Sequence, residues 1–556
     1  MLRGLLYKAF ALSAGREVKA LERDSCSPRA AQLSLLLDIL KRNADTEYGL
    51  KHGFAAVKSI EDFQKAVPIN DYDSLQPYIK AASEGRQNVL TAESPFMFAT
   101  TSGTTGSCKL IPITRAYVKE FRRASIVSGF NLLKHYPSLA KGVSLSVFSP
   151  AEEDRTKAGI PCGAISGRLY LEEPKFIKKF VSPIPYEVFL IQDYESRYYT
   201  LLRLALILPI TSIYTLNPST IMILGRRLTT YASALIKDIE DGTLNPPQPL
   251  PEKIEKCVRN FLKPQPQRAA VLRSLLDKGE FLPYKVWSDL SLISCWTKAA
   301  AAFYLQDFPH YFGDLPVCDI TYGASEGRGT VCLSPSEQML SIRSHFFEFV
   351  LEEEMTNSQP RVYVADELEI GKSYFILFTT SGGLYRYNLN DIVKVVGIHN
   401  RTPLLEFMHK GGNISSFTGE KITESQVTNA VAQAARDSGF RVNFFTVVPE
   451  FRPEPHYQLW IELTKGESSV SADQGEQLAI EVDTQLGLHN IEYATKRQSH
   501  RLAPLTVRLL RLGIYEDLRK QMVAGGVPDA QIKISHLQPK DSIKQSIEFF
   551  ESLSKV

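Results

Sequence analysis

The sequence has few cysteines, and none of them forms a CxxC pair. Seven cysteines occur in 556 residues, which is an odd and sparse number for this length. This usage indicates reduced thiols in a cytoplasm. The ten histidines show neither HExxH nor HxxxH spacing, so nothing in the sequence indicates a dedicated zinc site.

Long apolar runs and a strong net charge are also missing. The most apolar run, Leu201–Leu216, contains Arg203 and Pro209, and it is shorter than the ~20 residues that a bilayer core requires. Lys8 splits the apolar stretch of the N-terminus, which we interpret as a short amphipathic helix rather than a signal peptide. The net charge of +3 is too small to support a surface that follows nucleic-acid phosphates. We therefore expect a cytoplasmic protein with no membrane or nucleic-acid partner.

What the sequence does contain is an ordinary globular composition, with 44% hydrophobic and 22% charged residues. Strand-like runs alternate with helical stretches over about 400 residues, and this alternation predicts α/β architecture with mixed sheets and helices. The predicted strands are 96–100, 110–114, 143–148, 317–321, 346–351, 374–379 and 392–396. The predicted helices are 29–43, 115–135, 219–239, 251–262 and 297–308.

A Gly- and Ser-rich break, HKGGNISSFTGE at 409–420, divides the chain. The tail that follows has helical stretches at 423–437 and 473–486 and strand-like runs at 442–448, 457–464 and 505–511. It is long enough to form a compact α+β domain of its own. We predict a large N-terminal domain over 1–411 and a smaller, mobile C-terminal domain over 412–556, with the break acting as a hinge.

The most informative segment is TTSGTTGSCK at 100–109, which combines hydroxyl side chains, two glycines and a lysine. The hydroxyls and backbone N–H groups donate hydrogen bonds, the glycines allow close approach of an anion, and the lysine adds a charge. This combination suits a polyphosphate. The segment is not a Walker A loop, because GxxxxGK[ST] is absent and a strand-like run lies on each side. The alternative interpretation is a polar hairpin turn.

Two further segments extend this interpretation, TYGASEG at 321–327 and YRYNLND at 385–391. Together with the phosphate loop they resemble three motifs of the adenylate-forming superfamily, which includes acyl-CoA synthetases, luciferases and the adenylation domains of peptide synthetases. Asn390 stands where the third motif has a glycine.

The resemblance is closest to one branch of that superfamily. The segments that carry it are RNADTEYGLKHGF at 42–54, VPINDYDSLQPYI at 67–79, SCWTKAAAAFY at 294–304, TTSGGLYRYNLNDIVKVVG at 379–397 and PLTVRLLRLGIYEDL at 504–518. They resemble the GH3 acyl acid amido synthetases, typified by plant enzymes that conjugate auxin and jasmonate. The resemblance extends from residue 30 to residue 535.

The resemblance implies ATP and Mg²⁺ as cofactors, and it implies a role for each motif. Asp391 would accept hydrogen bonds from the ribose hydroxyls, because a carboxylate is an acceptor. Glu326 would hold Mg²⁺, a cation that prefers oxygen ligands. The catalytic candidates are Lys109, Arg386 and the tail lysine Lys533. Tyr322 would lie along the adenine face. The remaining nucleotide contacts would come from Thr101, Ser102, Gly103, Thr104 and Thr105 of the phosphate loop and from Gly323, Ala324 and Ser325.

Three functions are compatible with these motifs. In the first, a carboxylic acid is converted to an acyl-AMP with release of pyrophosphate, and the acyl group then passes to the amine of an amino acid. In the second, the acceptor is a thiol such as CoA. In the third, an inactive family member acts as a binding protein, but the presence of Lys109, Glu326 and Asp391 argues against this. The resemblance over nearly the whole chain favours the amide, and we expect a monomer that acts on small molecules.

Overall fold

The structure is a computed structural model. It describes residues 2–101, 109–173, 175–298, 305, 308–355, 357, 359–411, 414–415, 420, 422–450, 454–464, 471–498, 502–524, 532, 534–538 and 547. The chain divides into two compact units. The larger unit comprises Met1–Thr297 and Tyr304–Phe407, and the smaller unit comprises Lys298–Phe303 and Met408–Val556.

The helices of the larger unit cover much of its length. In chain order they are α1 (Leu2–Ser25), α2 (Pro28–Arg42), α3 (Glu47–Lys51), α4 (Ile60–Ala66), α5 (Tyr72–Ser83), α6 (Arg115–His135), α7 (Ile165–Glu172), α8 (Lys175–Val181), α9 (Tyr194–Ala205), α10 (Pro218–Thr230), α11 (Ala232–Asp241), α12 (Glu252–Val258), α13 (Pro266–Asp277), α14 (Pro283–Val286) and α15 (Phe308–Phe312). In the described ranges, no helix is both long and apolar enough to span a bilayer.

The strands of the larger unit are β1 (Met97–Thr101), β2 (Lys109–Ile113), β3 (Val143–Ser146), β4 (Asp154–Arg155), β5 (Pro161–Gly163), β6 (Ile210–Tyr214), β7 (Leu292–Cys295), β8 (Val317–Asp319), β9 (Gly323–Ala324), β10 (Gly327–Arg328), β11 (Thr330–Ser334), β12 (Glu337–Leu340), β13 (Phe346–Leu351), β14 (Val362–Tyr363), β15 (Ser373–Thr379), β16 (Tyr387–His399) and β17 (Thr402–Lys410). They form a seven-stranded sheet, β11-β12-β17-β16-β15-β13-β14, two four-stranded sheets, β2-β1-β5-β4 and β3-β6-β7-β8, and the hairpin β9-β10.

Two apolar cores hold these layers together. The strands β3, β6, β7 and β8 run parallel, and their core continues into α9, α10 and α11. The other core joins the seven-stranded sheet to α2, α5, α6 and the β1–β2 hairpin. Helix α6 begins at the N-cap Thr114, whose side chain accepts the Tyr117 N–H, and it buries one face that includes Tyr117, Phe121 and Ala124.

The smaller unit is an α+β arrangement with its own core. Its elements are the short pair β18 (Ile414–Ser415) and β19 (Ile422–Thr423), the sheet β20-β21-β22 (Val442–Glu450, His456–Leu463 and Thr506–Leu510), and the helices α16 (Glu424–Asp437), α17 (Ala472–His489), α18 (Ile491–Gln498) and α19 (Ile514–Ala524). A capping box of Thr423 and Gln426 starts α16.

Most of the predicted elements are confirmed, and so is the α/β class. The strand predicted at 392–396 is longer, because β16 runs from Tyr387 to His399. The helix predicted over 219–239 is in fact two helices, α10 and α11, which are separated at Tyr231. Most of the helix predicted over 297–308 lies outside the described residues.

Candidate functional site

The predicted phosphate loop connects two paired strands. β1 and β2 are antiparallel, and Thr101 stands opposite Lys109 in their register. This confirms the strand–loop–strand context. Ser102, Gly103, Thr104 and Thr105 lie outside the described residues, and of Thr101 only the backbone is described. The roles of these residues in phosphate binding therefore stay predictions.

Lys109, at the far end of that loop, lies over an aromatic ring. Its Nζ is 5.1 Å from the centroid of the Tyr72 ring, close enough for a cation–π interaction. The Tyr72 hydroxyl in turn accepts the backbone N–H of Leu110 at 3.0 Å. Helix α5 thus fixes the start of β2 and the position of the lysine.

Glu326 occupies the tip of the β9–β10 hairpin. Gly327 pairs with Ala324 and Arg328 with Gly323, so Ser325 and Glu326 form a two-residue turn. The hydroxyl of Tyr117 donates to the carbonyl oxygen of Ser325 at 2.8 Å, which anchors the turn to α6. The Glu326 side chain is half-buried.

A bulge in β16 directs Asp391 into the protein. In the pairing of β15 with β16, Asn388 is opposite Leu377 and Ile392 is opposite Phe375. The three residues 389–391 therefore face the single residue Ile376. Asn390, at the centre of the bulge, has φ 62°, which is the left-handed conformation that glycine and asparagine adopt most readily. Its N–H donates to the side-chain oxygen of Asn388. The asparagine therefore suits the conformation for which the family motif has a glycine.

Asp391, in the segment 385–391, forms a hydrogen bond with Tyr322, which belongs to the segment 321–327. The Tyr322 hydroxyl donates to Oδ2 of Asp391 at 2.8 Å, and Asp391 is only 4% exposed. The Tyr322 ring stacks on Phe407, with centroids 5.5 Å apart and planes 7° from parallel. A Cβ on Gly329 would lie 2.3 Å from the same ring, so a glycine is required there. Tyr322 is only 8% exposed, and the contact with adenine expected of its ring stays a prediction.

The electrostatics of the site keep three tyrosine hydroxyls protonated. Burial raises the pKa of Tyr322 well above its ordinary value, and the charges of Asp391 and Glu326 raise it further. Burial likewise raises the pKa of Tyr117 and of Tyr387, and Glu326 adds to both shifts. Glu326 thus acts on all three tyrosines, and Asp391 acts on Tyr322 and Tyr387.

The Arg386 side chain forms an ion pair and hydrogen bonds with other residues of the chain. Its Nε donates to the two carboxylate oxygens of Glu348 at 3.2 and 3.0 Å, and both side chains are buried. Its Nη1 donates to the backbone carbonyls of Gln64 and Val67 at 3.0 and 2.6 Å. These contacts favour a structural role, and the catalytic role inferred from the motif is untested.

Lys533 lies outside the described residues. The segment after it pairs with β20, because the Val447 N–H donates to the His536 carbonyl at 2.8 Å and the Gln538 N–H donates to the Val447 carbonyl at 2.9 Å. The His536 ring stacks on Phe445. The catalytic role of Lys533 stays a prediction.

The described residues fit one Mg²⁺ ion that is held by a single protein carboxylate. In the part of the chain that the structure describes, no group of three His, Cys, Asp or Glu side chains could enclose a metal. Mg²⁺ is commonly bound through one or two carboxylates, with phosphates and water as its other ligands. Glu326 meets that requirement when phosphates are held nearby.

Sequence patterns did not reveal two residues that shape the site. Tyr117, which anchors the Ser325 carbonyl, precedes it by 208 positions, and Phe407 follows Tyr322 by 85 positions in the sequence. Nothing local distinguishes either one from an ordinary apolar position. Only the pairing of distant elements places them at the site.

Comparisons with known proteins cover nearly the whole chain. The GH3 family N-terminal domain matches residues 17–317, the central domain matches 338–410 and the C-terminal domain matches 425–542. Among curated proteins, a probable indole-3-acetic acid-amido synthetase, GH3.1 of Arabidopsis thaliana, is 27% identical over 93% of this chain and 90% of its own length. A jasmonoyl-L-amino acid synthetase, GH3.5 of Oryza sativa subsp. japonica, is 26% identical over 93% of both chains.

Solved structures give the same fold. The GH3.15 acyl acid amido synthetase superposes with a TM-score of 0.84 at 22% identity and covers 96% of this chain and 95% of its own. A 2-hydroxyisobutyryl-CoA ligase superposes with a TM-score of 0.52 at 12% identity, covering 95% of this chain and 92% of its own. The first two domain matches leave out residues 318–337, which include Tyr322 and Glu326, but the three matches together cover most of both units, and the chain belongs to the GH3 family.

Proposed function

We propose that this protein is an ATP-dependent acyl acid amido synthetase. It activates a carboxylic acid as an acyl-AMP with release of pyrophosphate, and it then transfers the acyl group to the amine of an amino acid. The observation that carries the proposal is the hydrogen bond between Tyr322 and Asp391, which joins two motifs 69 positions apart beside Glu326. Membership of the GH3 family and the names of the relatives support it.

The first half-reaction depends on positioning and on neutralising charge at the phosphates. Asp391 binds the ribose hydroxyls, and Tyr322 keeps that carboxylate oriented. The hydroxyls of the 101–105 segment and Lys109 hold the phosphates. Glu326 would hold Mg²⁺, which would neutralise negative charge on the phosphate oxygens.

The tail contributes to the first half-reaction together with the large domain, and it moves between the two steps. We place the boundary between the N-terminal domain and the mobile C-terminal domain at 411/412 and the hinge at 409–420. Lys533 then contributes to adenylation only in the conformation that brings the tail to the nucleotide. Lys533→Ala should slow pyrophosphate exchange more than it slows amide formation from supplied acyl-AMP.

Pyrophosphate exchange into ATP tests the first half-reaction. The purified chain is screened against a panel of carboxylic acids that includes indole-3-acetic acid and jasmonic acid. We expect exchange that requires both an acid and Mg²⁺. Absence of exchange with every acid in the panel would contradict the proposal.

A competition experiment tests the acceptor. The acid that gives the fastest exchange is incubated with ATP, Mg²⁺, the standard amino acids and CoA together, and the products are identified by mass spectrometry. An acyl-amino acid is the expected product. An acyl-CoA in its place would establish the thiol acceptor.

A further inference from the structure

Arg328 follows Glu326 by two residues in the β9–β10 hairpin and stands opposite Gly323 in its register. A Cβ on Gly323 would lie 3.0 Å from Cδ of Arg328, so the glycine leaves room for the arginine to lie across the strand pair. Gly327 packs on the core, since a Cβ there would lie 2.7 Å from the Phe378 ring. Because successive residues of a strand point to opposite faces, the Arg328 side chain leaves the hairpin on the face away from that core.

The guanidinium of Arg328 lies against helix α6. Its central carbon is 4.8 Å from the centroid of the Phe121 ring, which is a cation–π distance. Phe121 follows Tyr117 by four residues on the same face of α6, and the two ring centroids are 6.1 Å apart. The Tyr117 hydroxyl donates to the carbonyl of Ser325. The guanidinium therefore lies beside the part of α6 that anchors the turn of Glu326.

The charges of Arg328 and Glu326 both reach the Tyr117 hydroxyl. Burial raises the pKa of Tyr117 most, the negative charge of Glu326 raises it further, and the positive charge of Arg328 lowers it. Burial, Asp391 and Glu326 in turn raise the pKa of Tyr322. Glu326 thus lies within electrostatic reach of both tyrosines, with the guanidinium near one of them and the predicted ribose ligand at the other.

The protein uses little of the hydrogen-bonding capacity of this guanidinium. Its Nη1 donates to the Thr321 carbonyl at 3.3 Å, a long bond. Its Nε is buried and has no hydrogen-bond partner in the described part of the chain. Within the same ranges no carboxylate forms an ion pair with Arg328, in contrast to Arg386, which is paired with Glu348. Buried donors without a partner are rare in folded proteins, and a bound ligand that supplies the acceptor accounts for this one.

A carboxylic acid is the ligand that fits this guanidinium. The planar fork of an arginine matches the two oxygens of a carboxylate, or those of a phosphate, with parallel N–H···O bonds. The Phe121 ring lies under the fork and adds an apolar surface beside it. An acyl acid offers a charged head to the guanidinium and an apolar body to such a surface, whereas a polyphosphate offers only charge.

We propose that Arg328 binds the carboxylate of the acyl acid and holds it beside Glu326 for attack on ATP. This inference rests on the proposed function and identifies the group that recognises the substrate as an acid. The carboxylate and the triphosphate are both anions and repel each other on approach. A fixed cation at their meeting point lowers that repulsion and orients the attacking oxygen.

The activation step balances with Arg328 charged throughout. One carboxylate oxygen forms a bond to the α-phosphorus of ATP, while the bond between that phosphorus and the oxygen of the leaving pyrophosphate breaks. The electron pair of the broken bond leaves with pyrophosphate, and no proton is transferred. A guanidinium, which does not lose its proton in proteins, is suited to a step that needs a constant positive charge.

The test compares the binding of an acid with that of its neutral carboxamide. The acid that gives the fastest pyrophosphate exchange and the primary carboxamide of that acid are titrated into the full-length protein by calorimetry. Mg²⁺ and α,β-methylene-ATP, which cannot release pyrophosphate, are present. The variants are Arg328→Met and Arg328→Gln, which both remove the charge, and Arg328→Lys, which keeps it. Arg361→Met is the matched control, because the Arg361 guanidinium also stacks on a ring, 4.5 Å from the centroid of Tyr363.

We expect wild type to bind the acid at least about 10-fold more tightly than the carboxamide. Losing the charge of Arg328 should raise the Kd of the acid about 10- to 150-fold, as expected for a hydrogen bond to a charged group. The Kd values of the carboxamide and of α,β-methylene-ATP should stay within about threefold of wild type. Arg328→Lys should recover part of the acid affinity, and Arg361→Met should bind all three ligands like wild type.

Three results would overturn the inference. The first is equal affinity of the wild type for acid and carboxamide, a measurement that needs no variant to fold. The second is an equal loss for acid and carboxamide in the variants without the charge, which indicates a structural role for Arg328. The third is a loss confined to α,β-methylene-ATP, which assigns the guanidinium to the phosphates. Failure of the proposed function is distinct, because the wild type would then exchange pyrophosphate with no acid at all.

Discussion

The Tyr117 hydroxyl donates a hydrogen bond to the carbonyl oxygen of Ser325 at 2.8 Å, and this bond connects α6 to the turn that carries Glu326. The Tyr117 ring is held in turn by His345, on which it stacks with centroids 5.5 Å apart. Nδ1 of His345 lies 3.3 Å from a carboxylate oxygen of Glu120. Tyr117 is thus a positioning residue for the proposed metal ligand.

Replacing Tyr117 by Phe should shift the Mg²⁺ dependence of the enzyme. The substitution removes only the hydroxyl, so the turn loses an anchor while the ring keeps its packing. We expect the Mg²⁺ concentration for half-maximal pyrophosphate exchange to rise severalfold, with the rate at saturating Mg²⁺ within about twofold of wild type, because a typical hydrogen bond contributes about 1 kcal/mol. Tyr170→Phe is the control, since that hydroxyl also donates to backbone carbonyls, those of Ser182 and Ile184. Equal Mg²⁺ dependence in both variants would contradict the positioning role.

Replacing Glu326 by Gln should abolish most of the adenylation activity. The amide keeps the shape of the side chain but removes the charge that binds the cation. A loss of about 10²-fold or more in pyrophosphate exchange is expected for a contact of this kind. Glu337→Gln, at the exposed first position of β12, should exchange normally. Normal exchange by Glu326→Gln at limiting Mg²⁺ would show that Glu326 is not the metal ligand.

Asp391→Ala should weaken ATP binding in a protein that remains folded. A hydrogen bond to a charged group contributes about 1.5–3 kcal/mol, which corresponds to a Kd for ATP about 10- to 150-fold higher. Tyr322→Phe removes the donor to the same carboxylate and should raise the Kd by less, because the ribose ligand itself remains. Isothermal calorimetry measures both. An unchanged Kd in folded Asp391→Ala would exclude Asp391 as the ribose ligand.

Arg386→Met should destabilise the larger unit. The substitution leaves the Glu348 carboxylate buried without its guanidinium partner, and breaking a buried ion pair costs about 3–5 kcal/mol. The double variant Arg386→Met with Glu348→Gln should recover part of the lost stability. Urea unfolding of both variants measures the difference. If the single variant is as stable as wild type but inactive in pyrophosphate exchange, Arg386 is catalytic rather than structural.

Asn390→Gly should leave ATP binding within about twofold of wild type, whereas Asn390→Val should weaken both folding and ATP binding. The reason is the left-handed backbone at φ 62°, which costs an ordinary L-residue about 1–2 kcal/mol and a β-branched residue at least as much. Thermal unfolding and calorimetry test the pair. Equal ATP affinities in the two folded variants would show that the bulge does not determine the position of Asp391.

The sequence determined the class of fold and the order of its elements, because apolar periodicity and helix caps are local properties. The β1–β2 hairpin around the phosphate loop and the helix α6 follow from residues within one or two turns of each other. The break between α10 and α11 at Tyr231 was not predicted, because helical periodicity continues across it.

The sequence also indicated Glu326 and Asp391, through motifs that are contiguous in the chain. Only the tertiary structure decided what each side chain contacts. The direction of Asp391 depends on a bulge in the register of β15 and β16, and the environment of Arg386 depends on Glu348, 38 positions away. Such properties arise from packing between distant segments, and local patterning carries no information about which distant side chain will be the neighbour.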